Sequence, residues 1–340
     1  MAKARLRVAC FEPGAGQARP TGSAVYGRQV KERLLETRRV EVVEAGAPND
    51  AILSLDGRFR AGRGQPTVTA IVHAGHLLAR RAYTPTEWLA QNWRVASAAR
   101  RSTSVLVPST AMHWALVSRL RVPEQRVVVV EPLPGPSFRR ASRSDLEALR
   151  QRHQLPERYF LYLGSRARRK NLGFLARVWA RVSARLEPEV ELVLAGPQNG
   201  GVDHLPRVRD AGWVAEDELP ALLSGAIAYL NPSLYEGHGL GAMQAMACGT
   251  PALVAATGAL PRTVDQGGLI LDAHELSQWE DAMVTLARRQ DVRRELSANA
   301  LKLTAERRGH PPDLGPLLRA LGLPEAQGSE PALPRRPRGG

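Results

Sequence analysis

The segment EGHGLGAMQAMACGTP, residues 236–251, carries the strongest local pattern in this chain of 340 residues. An acidic residue is followed by three glycines at alternate positions, then by a short apolar run that ends in Gly-Thr-Pro. Glycine lets backbone N–H groups approach a ligand closely, because no Cβ stands in the way. The apolar spacing predicts a helix from about Leu240, and the N-terminus of a helix favours anions. The segment therefore has the features of a phosphate-binding loop.

Two polar side chains of this segment are placed to reach one ligand across the start of the predicted helix. Glu236 lies in the loop, and Gln244 lies one turn beyond Leu240. Together with the glycine N–H groups they would bind hydroxyl groups and a phosphate. The alternative is a glycine-rich loop before an ordinary core helix, and the glycines alone do not separate the two interpretations.

The composition is that of a globular protein with a core. A chain of 340 residues is long enough for two domains of ordinary size, and 44 % of its residues are hydrophobic. No run of about 18 apolar residues occurs, so no transmembrane helix is expected. The first residues, MAKARLRVACFEPG, have too short an apolar run for a signal peptide and predict a buried strand instead. Cys10 and Cys248 fit no metal-ligand spacing or disulfide framework, which favours a cytoplasmic protein.

The formal net charge of +14 leaves two explanations open. A basic groove could bind phosphate, nucleic acid or an anionic membrane surface, or the arginines could form a solvated basic surface. The densest cluster comprises Arg166, Arg168, Arg169 and Lys170. Aromatic residues make up only 5 % of the chain and do not alternate with basic ones, so no specific nucleic-acid partner is expected.

Short apolar runs alternate with helical segments along the whole chain. In the first half, strands are predicted over 6–11, 40–45, 51–55, 67–72, 104–107 and 126–130. In the second half, they are predicted over 159–163, 189–195, 226–230, 252–255 and 269–271, and a short extended segment is predicted over 212–214. This alternation predicts an α/β fold with mainly parallel sheets that are covered by helices on both faces.

The proline-rich stretch EPLPGPSF, residues 131–138, marks the predicted domain boundary. An N-terminal domain over 1–138 and a second domain over 139–309 are therefore predicted. Residues 310–340 form a C-terminal segment, and from Gly322 its Pro, Gly and Arg content predicts disorder.

Three segments of the second half resemble, in order and spacing, the donor-binding half of retaining GT-B glycosyltransferases. They are YLGSRARRKNL (162–172), AGWVAEDELPALLSGAIAYLNPS (211–233) and the segment 236–251. The resemblance is to the group 1, or family 4, type, which includes bacterial mannosyl- and glucosyltransferases. It implies a GT-B fold of two Rossmann-like α/β/α domains that face a central cleft. The first domain would take the acceptor and the second the nucleotide sugar.

The resemblance also assigns roles to residues of the second domain. Arg169 and Lys170 would contact the donor diphosphate through charge-assisted hydrogen bonds. Glu236 matches the first of two family acids, which holds hydroxyl groups of the transferred sugar, and it is the main catalytic candidate. The second family acid binds the ribose diol, and its position is Gln244 here.

Further donor-binding positions follow from the same motifs. Val214 belongs to the family's Gly-x-Val loop. The backbone of the segment from Gly237 through His238 and Gly239 to Leu240, at the predicted helix start, would donate to the diphosphate. Two more departures from the family pattern accompany Gln244. Gly241 replaces the usual Pro, and Leu-Pro-Arg at 260–262 replaces Leu-Pro-Glu.

The first half offers three more candidates. His73 follows the strand predicted over 67–72, at a position where the family often has a His that faces the reaction centre. Gly22 and Ser23 resemble the family's first glycine-rich loop, which faces the donor phosphates and the acceptor. The alternatives are a structural His at a strand end and a turn in which Ser23 caps a helix. His73 and His76 would need a third ligand to hold a metal, and the sequence suggests none.

The sequence thus predicts a retaining, metal-independent hexosyltransferase without a cofactor. It would move a mannose- or glucose-type hexose from a GDP- or UDP-sugar to a hydroxyl of a glycan or lipid-linked acceptor, in glycan, polysaccharide or glycolipid synthesis. The alternative is a catalytically weakened GT-B scaffold that binds a sugar nucleotide or partner without transfer. A cytoplasmic location is expected, and peripheral contact with the anionic inner face of a membrane stays open.

Overall fold

The computed structural model describes residues 5–13, 21–197 and 205–324. Two compact units make up this part of the chain. The first comprises the described residues up to Pro132 and those from Pro312 onward, and the second comprises Leu133–Pro311. The change of unit falls inside the proline-rich stretch 131–138, where the sequence predicts a boundary.

The first unit is built on a six-stranded parallel sheet. Its strands are β1 (Leu6–Phe11), β2 (Val40–Val43), β3 (Ala51–Ser54), β4 (Thr67–Ala70), β5 (Ser104–Val107) and β6 (Val127–Val129), in the order β2-β1-β3-β4-β5-β6. The helices between them are α1 (Gly22–Glu36), α2 (Gly75–Leu78), α3 (Pro85–Arg101) and α4 (Thr110–Leu120). Every residue of β3, β4 and β5 is buried, as expected for parallel strands covered on both faces.

The second unit repeats this plan with a second parallel sheet. Its strands are β7 (Arg158–Leu163), β8 (Val190–Ala195), β9 (Val208–Gly212), β10 (Ala228–Asn231), β11 (Ala252–Ala255) and β12 (Gly268–Leu271), in the order β12-β11-β10-β7-β8-β9. Its helices are α5 (Arg143–His153), α6 (Leu172–Val182), α7 (Leu219–Ser224), α8 (Leu240–Ala247), α9 (Leu260–Val264), α10 (Leu276–Arg288) and α11 (Gln290–Gly309). The predicted α/β fold with parallel sheets is confirmed in both units.

The strand order of the second sheet creates a switch point at its centre. The chain proceeds from β7 outward to β8 on one side, and later strands add on the other side beginning with β10. The loops that leave β7 and β10 therefore diverge, which opens a crevice at the carboxyl ends of these two strands. Ligands of open α/β sheets bind in such crevices.

Edge-to-face aromatic pairs hold the helices of the second unit against its sheet. The ring centroids of Phe160 and Trp179 lie 6.4 Å apart, and those of Phe174 and Trp279 lie 5.8 Å apart. All four side chains are buried. Aromatic pairs of this geometry add to the free energy gained from burial, and they fix α6 and α10 in place.

The sequence does not predict strand β9. It predicts a short extended segment over 212–214, whereas β9 comprises Val208–Gly212. β9 is an edge strand whose polar side chains form ion pairs, Arg209 with Glu191 and Asp210 with Arg166. It therefore lacks the apolar run by which the other strands are recognised.

A last helix, α12 (Gly315–Ala320), returns to the first unit. Leu314, Leu317 and Leu321 are buried in that unit's core. The predicted domains end at 138 and 309 and do not include this return. The remainder of the predicted disordered tail, from residue 325, lies outside the described residues. Within the described ranges, no helix combines the length and apolar character needed to cross a bilayer.

Candidate functional site

The candidate site lies at the switch point of the second sheet. The loop after β7, residues 164–171, carries Arg169 and Lys170, and the loop after β10, residues 232–239, carries Glu236. The two loops are joined by a hydrogen bond of 2.8 Å from the backbone N–H of Leu234 to the carbonyl oxygen of Arg169. The three charged residues that the sequence singles out are thereby brought together.

One oxygen of Glu236 is the centre of this cluster. Lys170 Nζ donates to Glu236 Oε1 over 2.5 Å, and Ser233 Oγ donates to the same oxygen over 2.8 Å. Arg169 Nη1 lies 3.8 Å from it. The side chain of Glu236 is only 13 % exposed, so these contacts replace water as its partners.

The charges around Glu236 keep it ionised. Burial raises the pKa of a carboxyl group, but the positive charges of Lys170 and Arg169 and the hydrogen bonds from Lys170 and Ser233 outweigh it and lower the pKa to about 2. The group is a carboxylate at neutral pH. A carboxylate of this pKa is a poor proton acceptor, but it is a strong acceptor of hydrogen bonds and stabilises positive charge nearby.

The loop after β11 holds the Glu236 loop in position. Thr257 Oγ1 donates to the carbonyl oxygen of Ser233 over 2.7 Å, and the N–H of Ala259 donates to the carbonyl oxygen of Glu236 over 3.1 Å. Gly258 has φ +55°, and a Cβ on it would lie 2.4 Å from the Glu236 carbonyl oxygen. Sequence reasoning missed Ser233, Thr257 and Gly258, because their role depends on contacts between distant loops.

Helix α8 begins next to Glu236 without a side-chain cap. Its N-cap is Gly239, which has φ +92° and no side chain that could accept from the first turn. A Cβ there would come within 2.7 Å of Leu260 Cδ2, so the close packing of α9 also requires glycine. The N–H groups of the first turn, which begins at the half-buried Leu240, therefore receive no side-chain acceptor from the N-cap residue.

Arg169 carries a buried donor that no described residue satisfies. Its Nη1 atom is fully buried and has no hydrogen-bond partner in the described part of the chain. Buried donors are almost always paired in folded proteins, and an unpaired one points to a ligand or ion. Arg169 Nη1 and Lys170 Nζ together place two cations beside the start of α8.

His238 is neutral at physiological pH. Burial and the positive charge of Arg307 lower its pKa to about 3, against the opposing effect of Glu236. The side chain is 9 % exposed, and its Nδ1 has no partner among the described residues. Its carbonyl oxygen accepts from the Thr263 hydroxyl, so the backbone of this predicted donor-binding residue is anchored to α9.

The remaining predicted donor residues of this unit are largely buried. Gln244 is 7 % exposed on α8. Gly237 is buried in the loop, and Val214 is 4 % exposed in the core beyond the end of β9.

Gly241 stands where the resembling family has Pro, and a neighbouring side chain explains this difference. A Cβ at this position would lie 2.6 Å from the hydroxyl oxygen of Tyr229, which is buried on β10. The large Tyr229 side chain therefore requires glycine at 241. Arg262, the other departure, is exposed on α9.

His73 lies in the first unit, beyond the end of β4. Its Nε2 is 2.7 Å from the hydroxyl of Tyr83, and its side chain is half-buried. His76 packs edge-to-face on the same tyrosine, with centroids 6.3 Å apart. Burial and the charge of Arg94 lower the pKa of His76 to about 4, so it is neutral. Among the described residues, no group of three or more His, Cys, Asp or Glu is arranged to hold a metal ion.

Gly22 and Ser23 also belong to the first unit, where they open helix α1. The interpretation of Ser23 as the helix cap is wrong, because the helix begins at Gly22 and its cap lies two residues before Ser23. Thr21 is the N-cap, and its hydroxyl accepts from the N–H of Ala24 over 3.3 Å. Gly22 is exposed, with open space where a Cβ would lie.

Comparison with known proteins gives a family for the second unit. Residues 157–289 match the family model described as glycosyl transferases group 1. The chain is 26 % identical over 183 residues to O-antigen chain mannosyltransferase B of Escherichia coli. The aligned residues make up 51 % of this chain and 48 % of that protein. The chain is 32 % identical over 212 residues to a D-inositol 3-phosphate glycosyltransferase of Salinispora arenicola, which covers 54 % and 47 %. The chain spans about half the length of these relatives.

A solved structure extends the comparison to the whole fold. HepE of Anabaena, crystallised in complex with UDP and glucose, matches with a TM-score of 0.66 at 16 % identity. The match covers 89 % of this chain and 95 % of HepE. At this identity the likeness concerns the fold alone, and it confirms the predicted GT-B fold.

Proposed function

We propose that the protein transfers a hexose from a nucleoside diphosphate sugar to a hydroxyl group. The match of residues 157–289 to the family model described as glycosyl transferases group 1 supports this proposal. The observation that carries the proposal is the cluster of Arg169, Lys170 and Glu236 beside the uncapped start of α8. Mannosyltransferases and inositol phosphate glycosyltransferases among the relatives support a sugar donor. A GDP- or UDP-hexose of the mannose or glucose type is the proposed donor.

The diphosphate of such a donor would bind at the cations of this site. Arg169 Nη1 offers a buried, unpaired donor, and Lys170 Nζ has two further N–H groups beyond the one that it gives to Glu236. The first-turn N–H groups of α8 would add backbone donors. Two cations and a helix start can neutralise the charge of the leaving diphosphate, and we therefore propose transfer without a metal or cofactor.

Glu236 would bind the transferred sugar rather than act as a base. Its Oε1 already accepts from Lys170 and Ser233, so Oε2 remains for sugar hydroxyls. The negative charge would also stabilise the oxocarbenium character that develops at the anomeric carbon. With a pKa of about 2, Glu236 is too weak a base to take the acceptor proton.

A retaining reaction follows from this assignment as a proposal. The bond from the anomeric carbon to the phosphate oxygen breaks, and a bond to the acceptor oxygen forms on the same face. The acceptor proton passes to the departing diphosphate, whose basic phosphate oxygens are better proton acceptors than Glu236. The acceptor would be a glycan or a lipid-linked sugar, in line with the O-antigen chain relative. We propose a cytoplasmic location, where the net charge of +14 favours peripheral contact with an anionic membrane.

The test is a donor screen with the full chain. UDP- and GDP-hexoses are each incubated with lipid-linked and glycan acceptors, and release of the nucleoside diphosphate is measured by mass spectrometry. At least one donor is expected to be consumed, and the anomeric coupling constant in the NMR spectrum of the product should show retention. Failure of every pair would contradict the proposed activity. An inverted product would contradict only the retaining mechanism.

Gln244 favours a second candidate, a scaffold that binds a sugar nucleotide without transfer. The acid that the resembling family has at this position is replaced by a largely buried amide, which carries no charge and is a weaker hydrogen-bond acceptor than a carboxylate. Calorimetry separates the two candidates. Saturable binding of a UDP- or GDP-sugar, with neither transfer nor hydrolysis of the donor, would establish the scaffold.

A further inference from the structure

A second cavity opens at the other end of the same sheet. Its volume is about 460 Å³, within the range of small-molecule sites. Arg158 begins β7, Ile227 precedes β10 and Pro251 precedes β11, so the cavity lies at the amino ends of these strands. The candidate donor site lies at their carboxyl ends. β7 has six residues, which separates the two sites by roughly 20 Å.

Four arginines line this cavity, which we name the arginine pocket: Arg140, Arg158, Arg293 and Arg294. Two of them converge on one atom, because the Ala287 carbonyl oxygen accepts from Arg158 Nη2 over 2.7 Å and from Arg293 Nη1 over 3.1 Å. Their guanidinium groups are thus held close together at the C-terminal end of α10. The carbonyl groups there carry the negative end of the helix dipole, which helps to hold two like charges side by side.

Arg140 is held in place by Ser297 of α11. Its Nη2 donates to Ser297 Oγ over 2.7 Å, and Ser297 Oγ donates to the carbonyl oxygen of Gly249 over 2.6 Å. Ser297 is 9 % exposed, so an exposed arginine is tied to a buried hydroxyl group. Gly249 has φ +75°, and a Cβ there would lie 2.7 Å from Arg140 Nη2, so glycine leaves the room for the guanidinium group. The pocket is therefore built by specific contacts rather than by loose surface side chains.

The acidic side chains nearby offset only part of this charge. Glu157 lines the pocket, and Glu189 and Glu187 lie 3.2 and 3.6 Å from Arg158 Nη1. Asp291 instead forms a two-pronged pair with Arg289, at 2.9 and 2.6 Å.

Arg294 makes no hydrogen bond or ion pair within the described ranges. Burial lowers the pKa of Arg293, and the positive charges of Arg158 and Arg294 lower it further, against Asp291. Four arginines therefore line this cavity, and Glu157 is the one acidic residue among its described lining residues.

We propose that the arginine pocket binds a phosphate-bearing anion, at a site separate from the candidate donor loops. Guanidinium groups bind phosphate oxygens through paired hydrogen bonds, and the fixed positions of Arg140, Arg158 and Arg293 reduce the entropy lost on binding. The apolar side of the pocket, at Ile227 and Pro251, would contact the rest of the ligand. The phosphate could belong to a free small molecule or to a lipid headgroup.

Hydrogen–deuterium exchange of the full chain, with inorganic pyrophosphate as the probe, tests the site. Pyrophosphate is expected to slow exchange at the start of α11, around residues 290–298. A variant that combines Arg294→Gln with Ala298→Asp removes a free cation and adds a repelling carboxylate. It should weaken this protection at least about tenfold in apparent affinity. Lys302→Gln, which removes one cation from the same helix outside the pocket, is the matched control and should bind as the wild type does.

The donor loops give the internal comparison. Protection of α11 should persist in Lys170→Ala, so the arginine pocket is tested whatever the fate of the proposed function. Protection confined to residues 164–172 and 236–244, or equal affinity in the pocket variant and in the wild type, would overturn the proposal.

A vesicle arm identifies the source of the phosphate. If the ligand is a lipid headgroup, the wild type should float with phosphatidic acid vesicles and not with phosphatidylcholine vesicles. The variant with Arg294→Gln and Ala298→Asp should lose this flotation. Protection by pyrophosphate without flotation assigns the pocket to a soluble phosphate compound.

Discussion

Replacement of Lys170 by Met should destabilise the second unit, because it leaves the buried carboxylate of Glu236 without its closest cation. Lys170 is the main partner of Glu236, whose side chain is 13 % exposed. A pKa lowered from the usual 4.5 to about 2 corresponds to ~3 kcal/mol in favour of the ionised, folded form. Lys170 supplies the largest part of that effect, so Lys170→Met should cost roughly 2–3 kcal/mol at pH 7.

The sign of the pH dependence follows from the lowered pKa. The stabilisation by ionised Glu236 is fully present above about pH 4.5 and is lost as the pH falls toward about 2. In Lys170→Met, burial is no longer opposed by the closest cation, so the pKa of Glu236 should rise. The variant should therefore lose less stability than the wild type as the pH falls from about 4.5 to about 2.

The assay is a double-mutant cycle by urea unfolding. Trp179 and Trp279 are buried in the second unit, so their fluorescence changes when that unit unfolds. Wild type, Lys170→Met, Glu236→Gln and the double variant are compared at pH 7. A coupling free energy of about 2 kcal/mol is expected between the two positions. A coupling below about 0.5 kcal/mol, the value of an exposed pair, would refute the assigned role of Lys170.

Three further changes test the geometry around the site. Gly258→Ala should lower activity more than about 100-fold and destabilise the fold by roughly 1–3 kcal/mol, because its Cβ would strike the Glu236 carbonyl oxygen. Gly173→Ala, with open space at the Cβ in α6, is the matched control and should leave both unchanged or slightly improve stability. Gly241→Ala should lower the melting temperature, and Tyr229→Phe should restore part of the loss, since the hydroxyl is the atom in the way. Gln244→Glu should tighten donor binding in calorimetry, and an unchanged affinity would separate Gln244 from the ribose.

The candidate site could be predicted where its residues belong to short sequence motifs. Arg169, Lys170 and Glu236 belong to loops that follow parallel strands, and the carboxyl ends of neighbouring parallel strands meet at one edge. The convergence of these residues follows from the α/β pattern and the motifs together. The start of α8 after Gly239 was predictable in the same way, because the apolar helical spacing begins at Leu240.

The rest depends on contacts that no local pattern contains. Gly258 supports Glu236 from the loop after another strand, and Tyr229 makes glycine necessary at 241. β9 was not predicted, because its polar residues are stabilised by ion pairs at the edge of the sheet. α12 was not assigned to the first unit, because its leucines are buried in the core of a unit that is distant in sequence. The helix cap is Thr21 and not the predicted Ser23. Differences of one or two residues are usual at helix ends, because they depend on hydrogen-bond geometry that a sequence preference does not specify.

The most direct measurement is the rate of nucleoside diphosphate release from a UDP- or GDP-hexose, compared between the wild type and Lys170→Ala. The proposed site predicts turnover by the wild type and a loss of about 100-fold or more in the variant, while Lys302→Gln keeps the wild-type rate. Equal rates in the wild type and Lys170→Ala would contradict the assignment of the diphosphate to the loops after β7 and β10.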